Sequence, residues 1–208
     1  AGLADGAFYI NGQSCCAVDR IYVHENIYGV FVEHFVATVQ GFKPGDPTHP
    51  NTYLGPLSRK PQLQVVQNQV QDALDKGAEL RCGGQPIDGA GWYFAPTVLT
   101  GVNHTMTVMQ QESFGPIIGI QSVPDDATAT ALMNDTAYGL TAAVYSADRA
   151  RAVGILSQVS SGTGYWNCCD RVSPRLPWTG RGHSGIGSTL STLGITAFLQ
   201  PRAWHLRR

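Results

Sequence analysis

The chain has 208 residues, 43% of them hydrophobic and 14% charged, with a formal net charge of −1. That balance predicts a buried core, excludes disorder, and gives no electrostatic attraction to nucleic acid or to an anionic membrane. No apolar run approaches the length that spans a bilayer, and the start, AGLADGAF, lacks a secretory signal and an initiator Met. A soluble chain is therefore expected, in the form of a processed or truncated piece.

Residues 20–24, RIYVH, read as a strand, and residues 26–40 follow as an amphipathic helix with Ile27, Val30, Phe31, Phe35 and Val39 at helical spacing. The Pro- and Gly-rich stretch 41–56 is loop. A second helix is predicted over 59–76, on the stripe Leu63, Val66, Val70 and Leu74, with Gly77 as its stop. AELRCGG is a short strand entering a glycine turn. Residues 91–102 are extended, and Pro96 suggests an edge or an irregular start. IIGIQSV, 117–123, is a buried strand, and 125–134 is a helix whose acidic start suits the helix dipole. A strand at 141–146, a helix at 148–160 and a strand at 162–167 complete the series. This alternation predicts an α/β fold, with a mostly parallel sheet and helices on both faces. Residues 177–187, PWTGRGHSGIG, form a long glycine-rich loop, and the end, ITAFLQPRAWHLRR, reads as an extended β arm.

The five cysteines are Cys15, Cys16, Cys82, Cys168 and Cys169. An odd number in two adjacent pairs is a poor disulfide framework, so a reducing, cytoplasmic setting is expected. No ligand spacing for zinc is present, and no metal is expected. The pair in NGQSCCAVDR can be packed thiols or a nucleophile with its neighbour. Backbone N–H groups around such a turn favour a thiolate, which gives the second reading a mechanism. His24, His34, His49, His104, His183 and His205 are scattered and form no evident base.

Seven segments then fall in one order: G-Q-S-C at 12–15, G-D-P with L-G-P-L at 45–57, Y-F-A-P-T-V-L at 93–99, E-S-F-G-P at 112–116, N-D-T-A-Y-G-L at 134–140, N-C-C-D at 167–170, and P-W-x-G-x-x-x-S-G-x-G at 177–187. Together they make the chain resemble the catalytic domain of the aldehyde dehydrogenase superfamily almost end to end. The resemblance implies that Cys15 attacks an aldehyde to give a hemithioacetal. Hydride transfer to NAD or NADP leaves a thioester, which water releases as the acid. It places Glu112 on the nicotinamide ribose, Phe114 beside the nicotinamide, and Cys16, Asn167, Val172 and Trp178 along the substrate route. It divides the chain into a catalytic body, 1–194, and an oligomerisation arm, 195–208. The implied partners are a small-molecule aldehyde, further copies of the chain through the arm, and a separate chain carrying the cofactor-binding domain.

The same resemblance puts the family's general-base glutamate, its oxyanion asparagine and its dinucleotide domain ahead of residue 1. An inactive truncated homologue acting through assembly is therefore the alternative reading. Several residues depart from the family pattern. Ile10 replaces a usual asparagine, Gln111 a frequent acid, and Thr179 a glycine. Gly164 interrupts an apolar strand, and Arg202 stands for a common lysine.

Overall fold

The computed structural model describes residues 1–169 and 171–208; Asp170, the end of the N-C-C-D segment, lies outside the described residues. In chain order the elements are α1 (Gly2–Phe8), β1 (Arg20–His24), α2 (Glu25–Gln40), α3 (Lys60–Asp75), β2 (Glu79–Cys82), β3 (Pro86–Ile87), β4 (Tyr93–Phe94), β5 (Thr97–Thr100), β6 (Ile117–Val123), α4 (Asp126–Asn134), β7 (Thr141–Val144), α5 (Arg149–Leu156), β8 (Thr163–Trp166) and α6 (Ser191–Ile195).

The main sheet has the order β1-β6-β5-β2. Its first three strands are parallel, and β2 closes the edge antiparallel to β5. β7 and β8 pair in parallel with each other, as a separate ribbon. Alternation along the strands assigns the two faces. Val98, Ile118, Ile120, Ile21 and Val23 point into one cluster with Phe8 of α1 and Val32, Phe35 and Val39 of α2. Leu99 and Ile117 point the other way, toward Val66, Val70 and Ala73 of α3, with Met106 and Met109. Helices therefore cover both faces of the main sheet, as the strand–helix alternation predicts.

The local signals act as expected at several joints. The Asp125 carboxylate caps α4 by accepting from the Thr128 N–H, and Asp148 caps α5 through Arg151 N–H. α3 carries Pro in its first turn and is followed by Gly77 at φ +92°. Pro96 stands just before β5, so its missing N–H costs no ladder bond; β5 itself is central and buried, not an edge.

Two expectations change. The buried stripe of α2 is Val32, Phe35 and Val39, while Ile27 and Val30 remain 59% and 63% exposed. The helix meets the sheet through a face rotated from the one that spacing alone picks out, and Ile27 overhangs a groove. The C-terminal segment does not begin as a strand: α6 covers Ser191–Ile195, a tight turn covers Thr196–Phe198, and Leu199 onward has no regular element. The β propensity of Phe198 and Trp204 expresses itself only against a partner strand, and here neither ring meets one. Among the described residues no helix is long and apolar enough to cross a membrane.

Candidate active site

The loop carrying Cys15 is built from an unusual backbone. Ile10, Asn11 and Gly12 lie in succession at φ 50°, 62° and 70°, the left-handed region. Gly12 is required there twice over: a Cβ would also sit 2.3 Å from the carbonyl oxygen of Gly115. Gly115 is pressed in turn against α3, since its own Cβ would lie 2.4 Å from Val66 Cγ2. The G-Q-S-C and E-S-F-G-P segments, 100 residues apart, therefore stack glycine on glycine over α3.

Gln13 fastens the loop sideways. Its Nε2 donates to the carbonyls of Ile10 and Pro56, each at 3.3 Å, and its Oε1 accepts from Ser58 N–H at 2.8 Å and Ser58 Oγ at 2.9 Å. Cys16 turns inward, its sulfur 3.3 Å from Tyr9 Oη and 3.4 Å from Ser14 Oγ, while Tyr9 Oη also donates to Ser14 Oγ. Of the adjacent thiols, Cys15 is exposed and Cys16 is buried. Rigid anchoring on both sides of one exposed sulfur is the arrangement a nucleophile needs.

A cavity of about 770 Å³ opens on this loop, and Cys15, Cys16, Asp19 and Glu112 lie on its wall. Glu112 is exposed, and among the described residues its carboxylate has no hydrogen-bond partner, which leaves both oxygens as acceptors. The electrostatics do not favour a resting thiolate. Burial pushes the Cys15 thiol up from its ordinary range, Cys16 and the Glu112 carboxylate add to this, and only the Cys15 backbone N–H opposes them strongly. The lowered thiol expected from the turn is therefore absent: desolvation and nearby negative charge outweigh one N–H dipole. Asp19 is affected more. Burial first, and the Glu112 carboxylate second, push it up to about 7.

The other sequence-derived candidates are placed differently. Phe114 stands at φ 46°, which turns its ring outward at 36% exposure, off the cavity wall. Asn167, at φ 54°, spends its amide on Ser146, accepting from the Ser146 N–H at 2.9 Å and donating to its carbonyl at 3.0 Å. It thereby ties the end of β8 to the end of β7. Val172 is 52% exposed, and Trp178 pairs through its backbone with Thr189; neither borders the cavity. Thr179 avoids the left-handed region and donates its hydroxyl to Gly187 at 2.6 Å, so the Cβ costs nothing there.

Residues the sequence did not single out are Asp19, Gln13, Tyr9 and the Tyr145–Cys169 pair, whose Tyr145 hydroxyl donates to Cys169 Sγ at 3.4 Å on the same cavity. Ile10, Asn11, Phe114 and Asn167 lie within or beside the motifs in the left-handed region, which the two asparagines tolerate and Ile10 and Phe114 adopt at a cost. His104 is engaged with Tyr22 Oη and Asp135, each at 2.6 Å, and His183 packs on Tyr138. Among the described residues no cluster of three or more His, Cys, Asp or Glu suits a metal ion.

Comparison with known proteins adds an independent line. The model of the aldehyde dehydrogenase family matches residues 1–204. The chain is 38% identical over 188 residues to a succinate-semialdehyde dehydrogenase [NADP(+)] of Mycobacterium avium, covering 90% of this chain and 40% of that protein. Its fold is similar to that of lactaldehyde dehydrogenase from Escherichia coli, with a TM-score of 0.92 at 30% identity over 96% of this chain and 42% of that one. It is also similar to betaine aldehyde dehydrogenase from Staphylococcus aureus in complex with NAD+, with a TM-score of 0.91 at 29% identity over 95% of this chain and 40% of that one. The chain thus spans about 40% of the length of the curated relatives it matches.

Proposed function

The chain belongs to the aldehyde dehydrogenase family, and from that premise we propose that it is the catalytic portion of an NAD(P)-dependent aldehyde dehydrogenase, with Cys15 as nucleophile. The observation that carries the proposal is the meeting of Cys15 and Glu112 on one cavity, close enough for the carboxylate to act on the sulfur.

Cys15 forms the bond to the aldehyde carbon, and its proton must leave as the sulfur attacks. The raised thiol makes that loss dependent on a base. No histidine of this chain is assigned that task, and the family resemblance places the base on a preceding segment. The Cys15 backbone N–H, which already points at the sulfur, is positioned to donate to the carbonyl oxygen as charge develops. Gln13, Gly12 and Gly115 keep the loop from yielding during these steps.

The residues present fit the nicotinamide end of a dinucleotide. The two free oxygens of Glu112 suit a vicinal ribose diol, and the outward ring of Phe114 offers an apolar face. A bound nicotinamide supplies the hydride acceptor for oxidation to the acid. The identity of the M. avium relative as an NADP(+) enzyme and the NAD+ complex of the S. aureus structure support a dinucleotide of either kind.

The test is complementation. The chain is co-expressed with the N-terminal portion of the M. avium relative and assayed for NAD(P)H formation with a panel of aldehydes, with Cys15→Ser as the control. Turnover that vanishes in C15S supports the proposal. Turnover retained in C15S refutes it. Silence with every aldehyde points to the alternative, an inactive homologue that acts through assembly.

A further inference from the structure

The segment that carries Glu112 and Phe114 is held by a buried side chain from another element. Along E-S-F-G-P the exposure alternates: Glu112 and Phe114 face outward, and Ser113 between them is 1% exposed. Phe114 stands at φ 46°, a conformation that a bulky residue keeps only where its surroundings impose it. The Ser113 hydroxyl does not impose it, since it is buried with no hydrogen-bond partner among the described residues.

The Ser113 carbonyl does. It accepts from Gln62 Nε2 at 2.6 Å, in a buried contact between the first turn of α3 and a segment 51 residues away. Gln62 is itself buried, and Arg59 donates to its Oε1 at 3.4 Å, which leaves Nε2 as the group turned to Ser113. This carbonyl belongs to the peptide unit that precedes Phe114, so its direction is set by rotation about the Phe114 N–Cα bond, which is φ itself. One turn further along α3, Val66 bears on Gly115, the residue that follows Phe114. Phe114 is thus pinned on both sides by one helix. The chain just before that helix also holds the nucleophile loop, through the bonds of Gln13 to Pro56 and Ser58. The start of α3 therefore sets the Cys15 loop in register with the Glu112–Phe114 segment.

We propose that Gln62 is a positioning residue for the nicotinamide: by holding the Ser113 carbonyl it keeps Phe114 in the left-handed region, and with it the outward presentation of Glu112 and Phe114. Without the donor, the peptide unit between Ser113 and Phe114 rotates, Phe114 relaxes to negative φ, and the carboxylate and the ring lose their fixed relation. Gln62 acts on how the cofactor is held and leaves the chemistry at Cys15 alone. The inference rests on the reading of Glu112 and Phe114 as the nicotinamide end of the cofactor site, and its conformational part is tested without that reading.

Gln62→Leu keeps the bulk and removes the donor. Hydrogen–deuterium exchange in 112–117 of the full chain should become about tenfold faster or more than in the native chain, with β1 and β5 unchanged. Phe114→Asn puts in place a residue that rests in the left-handed region, so adding Gln62→Leu to it should speed exchange less than about threefold. In the enzyme complemented as above, Gln62→Leu should raise the KM for NAD(P) about tenfold or more, with kcat at saturating cofactor within about threefold of native. Gln62→Glu donates only while its carboxyl holds a proton, and it carries the test if Gln62→Leu does not fold. Its excess exchange over the native chain should grow from pH 5 to pH 8. Arg59, Asp19 and Glu112, the charges around Gln62 and Ser113, are the same in both chains. Unchanged exchange in 112–117, an equal rise with Phe or Asn at 114, or a fall in kcat with the cofactor KM unmoved overturns the proposal. A silent native complement counts against the proposed function, and the exchange comparison still decides whether Gln62 holds the segment.

Discussion

Asp19 should make the stability of this chain fall as pH rises through neutrality. Its carboxyl is pushed from an ordinary 3.8 up to about 7, first by burial and then by the Glu112 carboxylate, against the Ser113 N–H and the Arg20 charge. The folded chain therefore holds the Asp19 proton more tightly than the unfolded chain. Its contribution is fully present below about pH 4 and is lost as pH rises through about 7. Each tenfold difference in proton affinity is worth about 1.4 kcal/mol, so three decades set a ceiling of about 4 kcal/mol. Asp19 is half-buried and keeps some contact with water, which reduces this to about 2 kcal/mol. Asp19→Asn keeps the shape and removes the charge. Two of the three decades lie between pH 5 and pH 8, so in urea titrations at these two values the native chain should lose about 1.4 kcal/mol more than D19N. Every other side chain is common to the two proteins and cancels in the comparison. Parallel losses in the two proteins would refute the coupling of Asp19 to Glu112 and with it the description of the cavity wall.

Gly12→Ala places a Cβ against the Gly115 carbonyl at a left-handed position; it should cost about 3 kcal/mol in chemical denaturation, and a loss under about 0.5 kcal/mol would contradict the glycine stack. Ile10→Asn should stabilise by about 1 kcal/mol, because a β-branched residue at φ 50° is exchanged for one that tolerates it, and the 65% exposed Ile10 gives up little burial; thermal unfolding decides the sign. Glu112→Gln removes one cause of the raised Cys15 thiol, so the pH midpoint of Cys15 alkylation should move down; an unchanged or higher midpoint would separate the two residues.

Much of the fold was readable because its cues are local. The run IIGIQSV is bounded by Pro116 and Pro124 and became β6 without adjustment, and Asp125 and Asp148 announced the starts of α4 and α5. The face α2 presents was not readable, since Ile27, Val30 and Val32 are equally apolar and only the neighbouring elements choose among them. The tail misled because β propensity in Phe198 and Trp204 has no meaning without a strand to pair. At the site, Cys15 was visible through its motif. Its charge state was not, because that depends on burial and on Glu112, 97 residues away. Asp19 escaped for the same reason. Ile10 departs from the family pattern, and the structure supplies the physics: an asparagine rests easily where this isoleucine is strained.

Among the five cysteines, Cys15 and Cys168 are the exposed ones, and of these two Cys15 alone shares the cavity with Glu112. Chloroacetaldehyde, a small aldehyde that alkylates thiols, distinguishes a reactive site from mere exposure when labelling is mapped by mass spectrometry over a pH series. The account predicts that Cys15 is modified first, at a rate that rises with pH to a midpoint above that of an ordinary thiol. Preferential labelling of Cys168, with Cys15 left intact, would contradict it.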